Sequence, residues 1–212
     1  MFLPLVGGII YLITLVFNKQ DAQKIQSEVT HIINPTKKIK DLEKQLKFSD
    51  TYSNRMALAD AYFEIEAYKD AIEQYQYTLK DLVQDDAYAR QKVVEAHYKL
   101  GEYLKVINEA DPITERDFFK GSGAEFYFGL ALYHLGQIES GIFHLKNIDR
   151  PYSNHNERLE LAKIYLEIGD DDEAKTILID ITNEAENMTK TNRHLFAKTI
   201  RASHQLLTQT MQ

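Results

Sequence analysis

A repeated pattern constrains this chain more than any other feature. Four segments align with one another without gaps, and they begin at Ala59, Val94, Gly129 and Ala162. Each has one register position, and these positions are spaced 35, 35 and 33 residues apart: Glu66, Gly101, Gly136 and Gly169. Apolar residues recur three and four positions apart on either side of the register position, which is the spacing of one helical face. The pattern predicts two amphipathic helices around a tight turn in each segment, with glycine ending the first helix in a left-handed conformation.

The segment AHYKLGEY, from Ala96 to Tyr103, carries the centre of this pattern. Small residues beside large apolar and aromatic ones allow paired helices to approach closely, and the combination resembles the tetratricopeptide repeat (TPR) family over four units. The resemblance implies an all-α fold, a right-handed superhelical solenoid of TPR helix-turn-helix repeats. One departure is Pro112, which shortens the second helix of repeat two and predicts a long loop around residues 111–123.

The amino-terminal sequence PLVGGIIYLITLVF, residues 4–17, lies in an uncharged run and has three competing interpretations. It is a membrane anchor, a cleaved signal or a buried soluble helix. At about 1.5 Å per residue a helix of this length falls slightly short of the ~30 Å hydrocarbon core. However, no Lys or Arg precedes the run, as a secretory signal requires, and the run is apolar on every side. These features favour an uncleaved transmembrane helix.

Positive charges follow the apolar run, beginning with Lys19 and Lys24, so the positive-inside rule places the repeats in the cytoplasm. We therefore expect a single-pass protein of a bacterial inner membrane. The stretch PLVGGIIYL also resembles the second membrane helix of the amino-terminal module of phospholipase D-type and cardiolipin synthase enzymes, which implies the same topology. The activity of that family does not carry over, because it needs H-x-K-x-x-x-x-D motifs and His144 is followed by Pro151 at the acid position.

These features predict four segments in the chain. It comprises a transmembrane anchor at 1–18, a basic helical juxtamembrane segment and N-terminal cap at 19–50, an array of about four TPR repeats at 51–187, and a C-terminal capping helix at 188–212. Terminal repeats need such caps because one apolar side has no neighbour. The apolar residues assigned to the opening and closing helices are Ile39, Leu42 and Leu46, then Leu195, Phe196, Ile200, Leu206 and Leu207.

Composition and motifs argue against chemistry in this chain. The net charge is −7 and is unevenly distributed, with −9 on residues 51–212, so we predict no nucleic-acid partner. The absence of cysteine removes thiolate metal sites and cysteine nucleophiles. No metal-binding or catalytic spacing occurs among the histidines, and the acidic run at 170–172 predicts a helix cap. We predict no catalytic residue, no metal site and no cofactor, and the protein is not expected to be an enzyme. The histidines are His31, His97, His134, His144, His155, His194 and His204.

What remains is a partner-binding groove. In the TPR family the first helices line a concave face, and the resemblance places these residues on it: Asp60, Phe63, Glu64, Glu95, Tyr98, Lys99, Phe126, Leu130, Tyr133, His134, Lys163, Leu166 and Glu167. One equivalent position holds an apolar or aromatic ladder of Phe63, Tyr98, Tyr133 and Leu166. Two interpretations of this ladder stay open: a contact surface for a partner, or side chains covered by the closing helix and their neighbours.

Charge narrows the class of partner. Chaperone-binding members of the family clamp a terminal carboxylate with basic residues, but Asp60 and Glu95 occupy two of those positions here and would repel it. The expected partner is a protein or peptide that is basic or apolar. The functional hypothesis is a membrane-anchored scaffold or adaptor without catalysis. Its alternatives are an extracytoplasmic, periplasmic TPR adaptor and a TPR module that acts mainly in self-association.

Overall fold

The computed structural model describes residues 35–80 and 86–210. These residues form α-helices and short 3-10 turns, without β-strands among them. The helices are α1 (Pro35–Phe48), α2 (Tyr52–Glu64), α3 (Tyr68–Lys80), α4 (Ala87–Lys99), α5 (Tyr103–Ala110), α6 (Gly123–His134), α7 (Ile138–Leu145), α8 (His155–Glu167), α9 (Asp171–Glu186), α10 (Lys190–Leu195) and α11 (Ala197–Thr210).

The turn predicted from the repeat joins α2 to α3, α4 to α5, α6 to α7 and α8 to α9. In the second of these, the amide of Gly101 donates to the carbonyl of Tyr98 at 2.9 Å and that of Glu102 donates to His97 at 3.0 Å. These two bonds satisfy helix-terminal carbonyls in a Schellman motif, which requires a left-handed residue between them. The positive φ expected of the glycines is confirmed at Gly101 (71°), Gly136 (80°) and Gly169 (81°), and Glu66 adopts the same conformation at the fourth register position (63°).

Small residues set the distance between paired helices. A Cβ added to Gly129 in α6 would lie 3.0 Å from the backbone oxygen of Gly141 in α7, and one added to Gly141 would lie 2.8 Å from the backbone oxygen of Gly129. The two backbones are therefore in direct contact at this crossing. Alanine fills the corresponding positions of the α8–α9 pair, where Ala162 and Ala174 are fully buried. The prediction that small residues permit close helix approach is confirmed.

The chain divides into two compact units, Met1–Gln74 and Tyr75–Gln212. In the described part of the first unit, Ile39 of α1 is buried with Leu58 and Ala61 of α2. Leu42 and Leu46 pack against these residues, as predicted for the apolar face of the opening helix.

The second unit holds a longer core around the successive helix pairs. One cluster joins α4, α5 and α6 through Val94, Val106 and Phe128, and it includes Phe119 from the α5–α6 connection. The predicted loop at 111–123 is thus pinned by one aromatic side chain, whose ring centroid lies 5.8 Å from that of Phe128. The loop ends at Ser122, which caps α6 by accepting a hydrogen bond from the amide of Glu125.

The carboxy-terminal segment differs from the single closing helix expected over 188–212. Its described residues form two helices, α10 and α11, with Phe196 between them. The Phe196 ring packs on His155 of α8 at a centroid distance of 4.7 Å, and Leu206 and Leu207 pack on the core. Leu195, assigned to the buried face, is instead 72% exposed because it precedes the break.

The predicted anchor at 1–18 and the first part of the juxtamembrane segment lie outside the described residues. No helix within 35–80 or 86–210 combines the length and apolarity that a membrane crossing requires.

Candidate functional site

A half-open groove of about 440 Å³ runs along the first helices of the second unit. It is lined by residues of α4, α6 and α8, the helices that the TPR resemblance assigned to the concave face. Eight of the thirteen predicted site residues are brought together here: Tyr98, Lys99, Phe126, Leu130, Tyr133, His134, Lys163 and Glu167. That they bind a partner stays a prediction.

Hydrogen bonds connect neighbouring repeats along the groove in a regular step. The Tyr98 hydroxyl of α4 lies 3.2 Å from His134 Nε2 at the end of α6. The Tyr133 hydroxyl of α6 donates to Glu167 Oε2 at the end of α8 over 2.7 Å. His134 and Glu167 each follow a ladder position of their own repeat, so the same contact recurs one repeat further on. The ladder residues therefore reach the next repeat through hydroxyl groups.

The aromatic rings that contact Tyr98 lie beside the ladder rather than along it. Its ring lies 5.7 Å from Tyr103 and 5.9 Å from His134 between centroids, and the Tyr103 and His134 rings stack at 4.6 Å. Leu166, the fourth ladder position, is half-buried against the core of its own repeat. Tyr98, Tyr133 and Leu166 thus do not form a single column of stacked side chains.

Tyr127 is a groove residue that the sequence analysis missed. Its ring lies 5.1 Å from that of Tyr98, and its hydroxyl donates to Glu95 Oε1 over 3.0 Å. Through this bond Glu95, which does not line the groove directly, is tied to its wall. The amine of Lys99 lies 5.7 Å from the centroid of the Tyr127 ring, within reach of a cation–π interaction.

Helical periodicity points to Tyr127 in α6 and to the missed residues of α8. Tyr127 precedes Leu130 by three residues, one turn along α6, and the same step in α8 leads from Lys163 to Glu160 and on to Glu157. All three of these missed residues line the groove, together with Asn156 and Ile164. On α8 the predicted face began at Lys163 and missed the first turns of the helix, whereas on α6 it already reached Phe126 and passed over Tyr127 beside it.

The tyrosine hydroxyls of the groove act as donors at neutral pH. Burial, followed by the nearby Tyr103 hydroxyl and Glu160, raises the pKa of Tyr98 to about 12. Burial and then Glu95 raise the pKa of Tyr127 well above its usual range. The hydrogen bond to Glu167 is the first cause of the raised pKa of Tyr133. A hydroxyl that resists ionisation is a poor nucleophile and a suitable hydrogen-bond donor.

Carboxylates dominate the charge of the groove, and most already have partners. Glu160 pairs with Lys163 at 2.6 Å, and Glu167 accepts the hydroxyl of Tyr133. Glu95 pairs with Lys92 at 2.9 Å besides accepting from Tyr127. Glu157 makes neither a hydrogen bond nor an ion pair within the part of the chain that the structure describes.

Two predicted site residues belong largely to the core. Phe126 and Leu130 are only 6% and 7% exposed and pack in the same cluster as Leu145 and Leu161. They form the floor of the groove, with little surface free for a ligand. The floor of the groove is thus covered, while its rim of tyrosine, lysine and glutamate side chains is open.

The three predicted site residues of the first unit are described separately. Asp60 and Phe63 are half-buried in α2, and the Phe63 ring lies 5.2 Å from that of Tyr68 in α3. Glu64 is exposed and forms an ion pair with Lys38 of α1.

Two buried histidines outside the groove contact carboxylates. His97 contacts Glu102 at 2.7 Å, and the buried His155 contacts the buried Glu184 at 2.9 Å. Each pair ties helices or turns within the fold. Nowhere in the described ranges do three or more histidine, aspartate and glutamate side chains group as a metal site requires.

Comparison with known proteins supports the fold. No family model matches the sequence, and no curated protein matches it. The crystal structure of MamA is similar, with a TM-score of 0.60 and 17% sequence identity over 81% of this chain and 96% of the MamA chain. A structure described as "MamA MSR-1 C2" gives a TM-score of 0.54 and 18% identity over 76% and 94% of the two chains. One described as "MamA AMB-1 P212121" gives 0.51 and 17% over 77% and 96%. MamA is a TPR-like helical protein, and the present chain has the same TPR-like helical fold.

Proposed function

We propose that the protein is a non-catalytic scaffold that binds a protein segment in the groove of α4, α6 and α8. Its four helix pairs act as four TPR units, and the groove is the surface on which α4, α6 and α8, the first helices of the last three pairs, converge. The TPR-like fold supports a protein-interaction role, because such solenoids present extended concave surfaces to partners.

The observation that carries this proposal is the composition of the groove rim. Tyr98, Tyr127 and Tyr133 are half-buried, are held in place by hydrogen bonds or ring contacts, and border an open volume. Tyrosines of this kind supply large contact areas at small conformational cost, and they are enriched among residues that dominate binding energies. The hydroxyls of Tyr127 and Tyr133 already donate to Glu95 and Glu167, so toward a partner they offer acceptor lone pairs beside their ring faces.

The membrane location is a separate part of the proposal and rests on the sequence. Residues 1–18 act as a single uncleaved anchor, and the Lys residues that follow keep the repeats in the cytoplasm. A carboxy-terminal reporter that is active only outside the cytoplasm should stay silent. An active reporter would turn the protein into a periplasmic adaptor.

Affinity capture from membranes tests the groove. The double variant Tyr98→Ala with Tyr133→Ala should lose the captured partner, because two aromatic rings of the groove rim are removed together with the hydrogen bonds of their hydroxyls. A matched control changes two large exposed side chains outside the groove, Leu104→Ala with Leu195→Ala, and should capture normally. Circular dichroism should show unchanged helicity in both. Equal capture by the two double variants would place the binding surface elsewhere.

Self-association is a further outcome that the same chain can report. Light scattering of residues 20–212 at micromolar concentration should show a monomer if the groove serves other proteins. A stable oligomer that the Tyr98→Ala and Tyr133→Ala double variant dissociates would instead make a second copy the occupant.

A further inference from the structure

We propose that the groove selects its partner by seating one arginine or lysine side chain of the bound segment between the ring of Tyr127 and the carboxylate of Glu157. The inference rests on the proposed function and adds to it the chemistry of the anchoring residue.

The ring of Tyr127 already holds a cation of this chain. Lys99 Nζ lies 5.7 Å from the ring centroid, and Lys99 is exposed and makes no ion pair among the described residues. The hydroxyl of Tyr127 is bound to Glu95 over 3.0 Å, which fixes the ring and leaves its face as the surface that attracts positive charge. A lysine held only by a half-exposed ring is easily displaced, so this position accepts a cation from outside.

The carboxylates of the groove wall favour a positive ligand. Glu95, Glu160 and Glu167 each accept a hydrogen bond or an ion pair from neighbouring side chains. Glu157 also lines the groove, has no such partner in the described structure, and acts electrostatically on Tyr127. It is therefore the groove carboxylate with free acceptor capacity, and a guanidinium or ammonium group stacked on Tyr127 would satisfy it.

The same features disfavour other anchors. An acidic side chain entering the groove would meet three carboxylates, Glu157, Glu160 and Glu167, against two lysines, Lys99 and Lys163, of which Lys163 is already paired with Glu160. A large apolar anchor would need an open apolar pocket, but Phe126 and Leu130 are almost completely covered. Arginine fits better than lysine, because a planar guanidinium both stacks on an aromatic face and binds a carboxylate through two donors.

Short peptide libraries with one fixed central residue test the proposed anchor. Libraries fixed as Arg, Lys, Glu or Leu, and otherwise randomised, are passed over the immobilised full-length chain. We expect enrichment in the order Arg, Lys, then Leu, with Glu depleted. Enrichment of the Glu or Leu library above the basic ones would overturn the inference while leaving the groove as a binding surface.

Point variants test whether the basic side chain of the ligand binds between Tyr127 and Glu157. Glu157→Gln should weaken the best arginine peptide about tenfold, because one charge-assisted hydrogen bond is lost at nearly constant shape. Glu115→Gln, an exposed acid outside the groove, should bind as the wild type does. Lys99→Met should bind about threefold tighter, since a competing cation leaves the ring. A change of less than twofold in Glu157→Gln, or tenfold weaker binding by Lys99→Met, would overturn the inference.

The failure of this inference is distinguishable from that of the proposed function. If the groove is not a binding surface, no library is enriched and the Tyr98→Ala and Tyr133→Ala double variant captures its partner normally. If only the anchor is wrong, that double variant still loses capture, and the enriched peptides carry a different central residue.

Discussion

Two regions of the second unit use the same kinds of charged and aromatic residues in opposite ways. At the α8–α9 junction Arg158 is 1% exposed, and its guanidinium donates to Glu184 at 2.8 and 2.9 Å and to Asp149 at 2.7 Å. His155 completes the cluster through its contact with Glu184. In the groove, Lys99 and Glu157 lack ion-pair partners among the described residues, although both belong to its wall.

The two regions differ in whether their charged side chains already have partners. A buried charge without a partner is costly, so the Arg158 cluster must be complete in the free protein for the fold to be stable. The groove is half-open, and water can solvate Lys99 and Glu157 until a ligand replaces it. We infer that the saturated cluster specifies how the last helix pair packs, whereas the unsaturated groove is free to recognise a partner.

Arg158→Met should give the largest effect on stability. The substitution leaves Glu184 and Asp149 without their buried cation, and we expect a loss of about 3 kcal/mol in the free energy of unfolding. Urea denaturation followed by circular dichroism measures it. Arg201→Met on the exposed face of α11 is the matched control and should change stability by less than about 0.5 kcal/mol. Similar losses of stability in the two variants would mean that the buried Arg158 cluster contributes no more to stability than an exposed arginine does.

The groove should respond to alkaline pH. Because the pKa of Tyr98 is raised from 10.0 to about 12, the folded state retains a proton that the unfolded state releases. The free energy of unfolding should therefore fall as the pH rises from about 10 to about 12, and Tyr98→Phe should make this fall shallower. Denaturant titrations across this pH range check it. An unchanged slope in Tyr98→Phe would show that the Tyr98 hydroxyl ionises normally and is not held in the groove.

The turns between paired helices belong to neither the Arg158 cluster nor the groove, and they test the contribution of the backbone to stability separately. Glu66 adopts φ of 63°, whereas glycine fills the same position in the other three pairs. Glu66→Gly should stabilise the protein by up to about 1 kcal/mol, because left-handed backbone costs a residue with Cβ more than it costs glycine. Thermal unfolding measures the change. Destabilisation instead would mean that the Glu66 side chain contributes contacts outweighing its backbone cost.

Much of the repeat architecture was predictable because it depends on local rules. Glycine at the register positions specifies the left-handed turns, and the apolar spacing specifies the helix faces, so both were confirmed. Small residues such as Gly129 and Ala162 marked the close helix crossings for the same reason, whereas the role of Gly141 opposite Gly129 emerged from the structure. The break at Phe196 was not predictable, because it follows from packing on His155, a residue 41 positions earlier in the sequence.

The groove was only partly predictable, for two physical reasons. The predicted site residues lie on the first helices, but how far each side chain is buried depends on its neighbours. Phe126 and Leu130 are drawn into the core, while Tyr98 and Tyr133 reach the next repeat through hydroxyls. Glu157 was missed because the face of α8 was followed over too few turns, and Tyr127 was missed although it follows the predicted Phe126 and lies one turn before Leu130.

Site-specific photo-crosslinking in membranes tests most directly whether the groove binds the partner. A photoreactive benzophenone amino acid is placed at Glu160, on the exposed rim of the groove, and in a second chain at Leu104, which is 69% exposed and outside it. We predict a crosslinked partner from position 160 and none from position 104. Crosslinking from position 104 with none from position 160 would contradict the assignment of the groove as the binding surface.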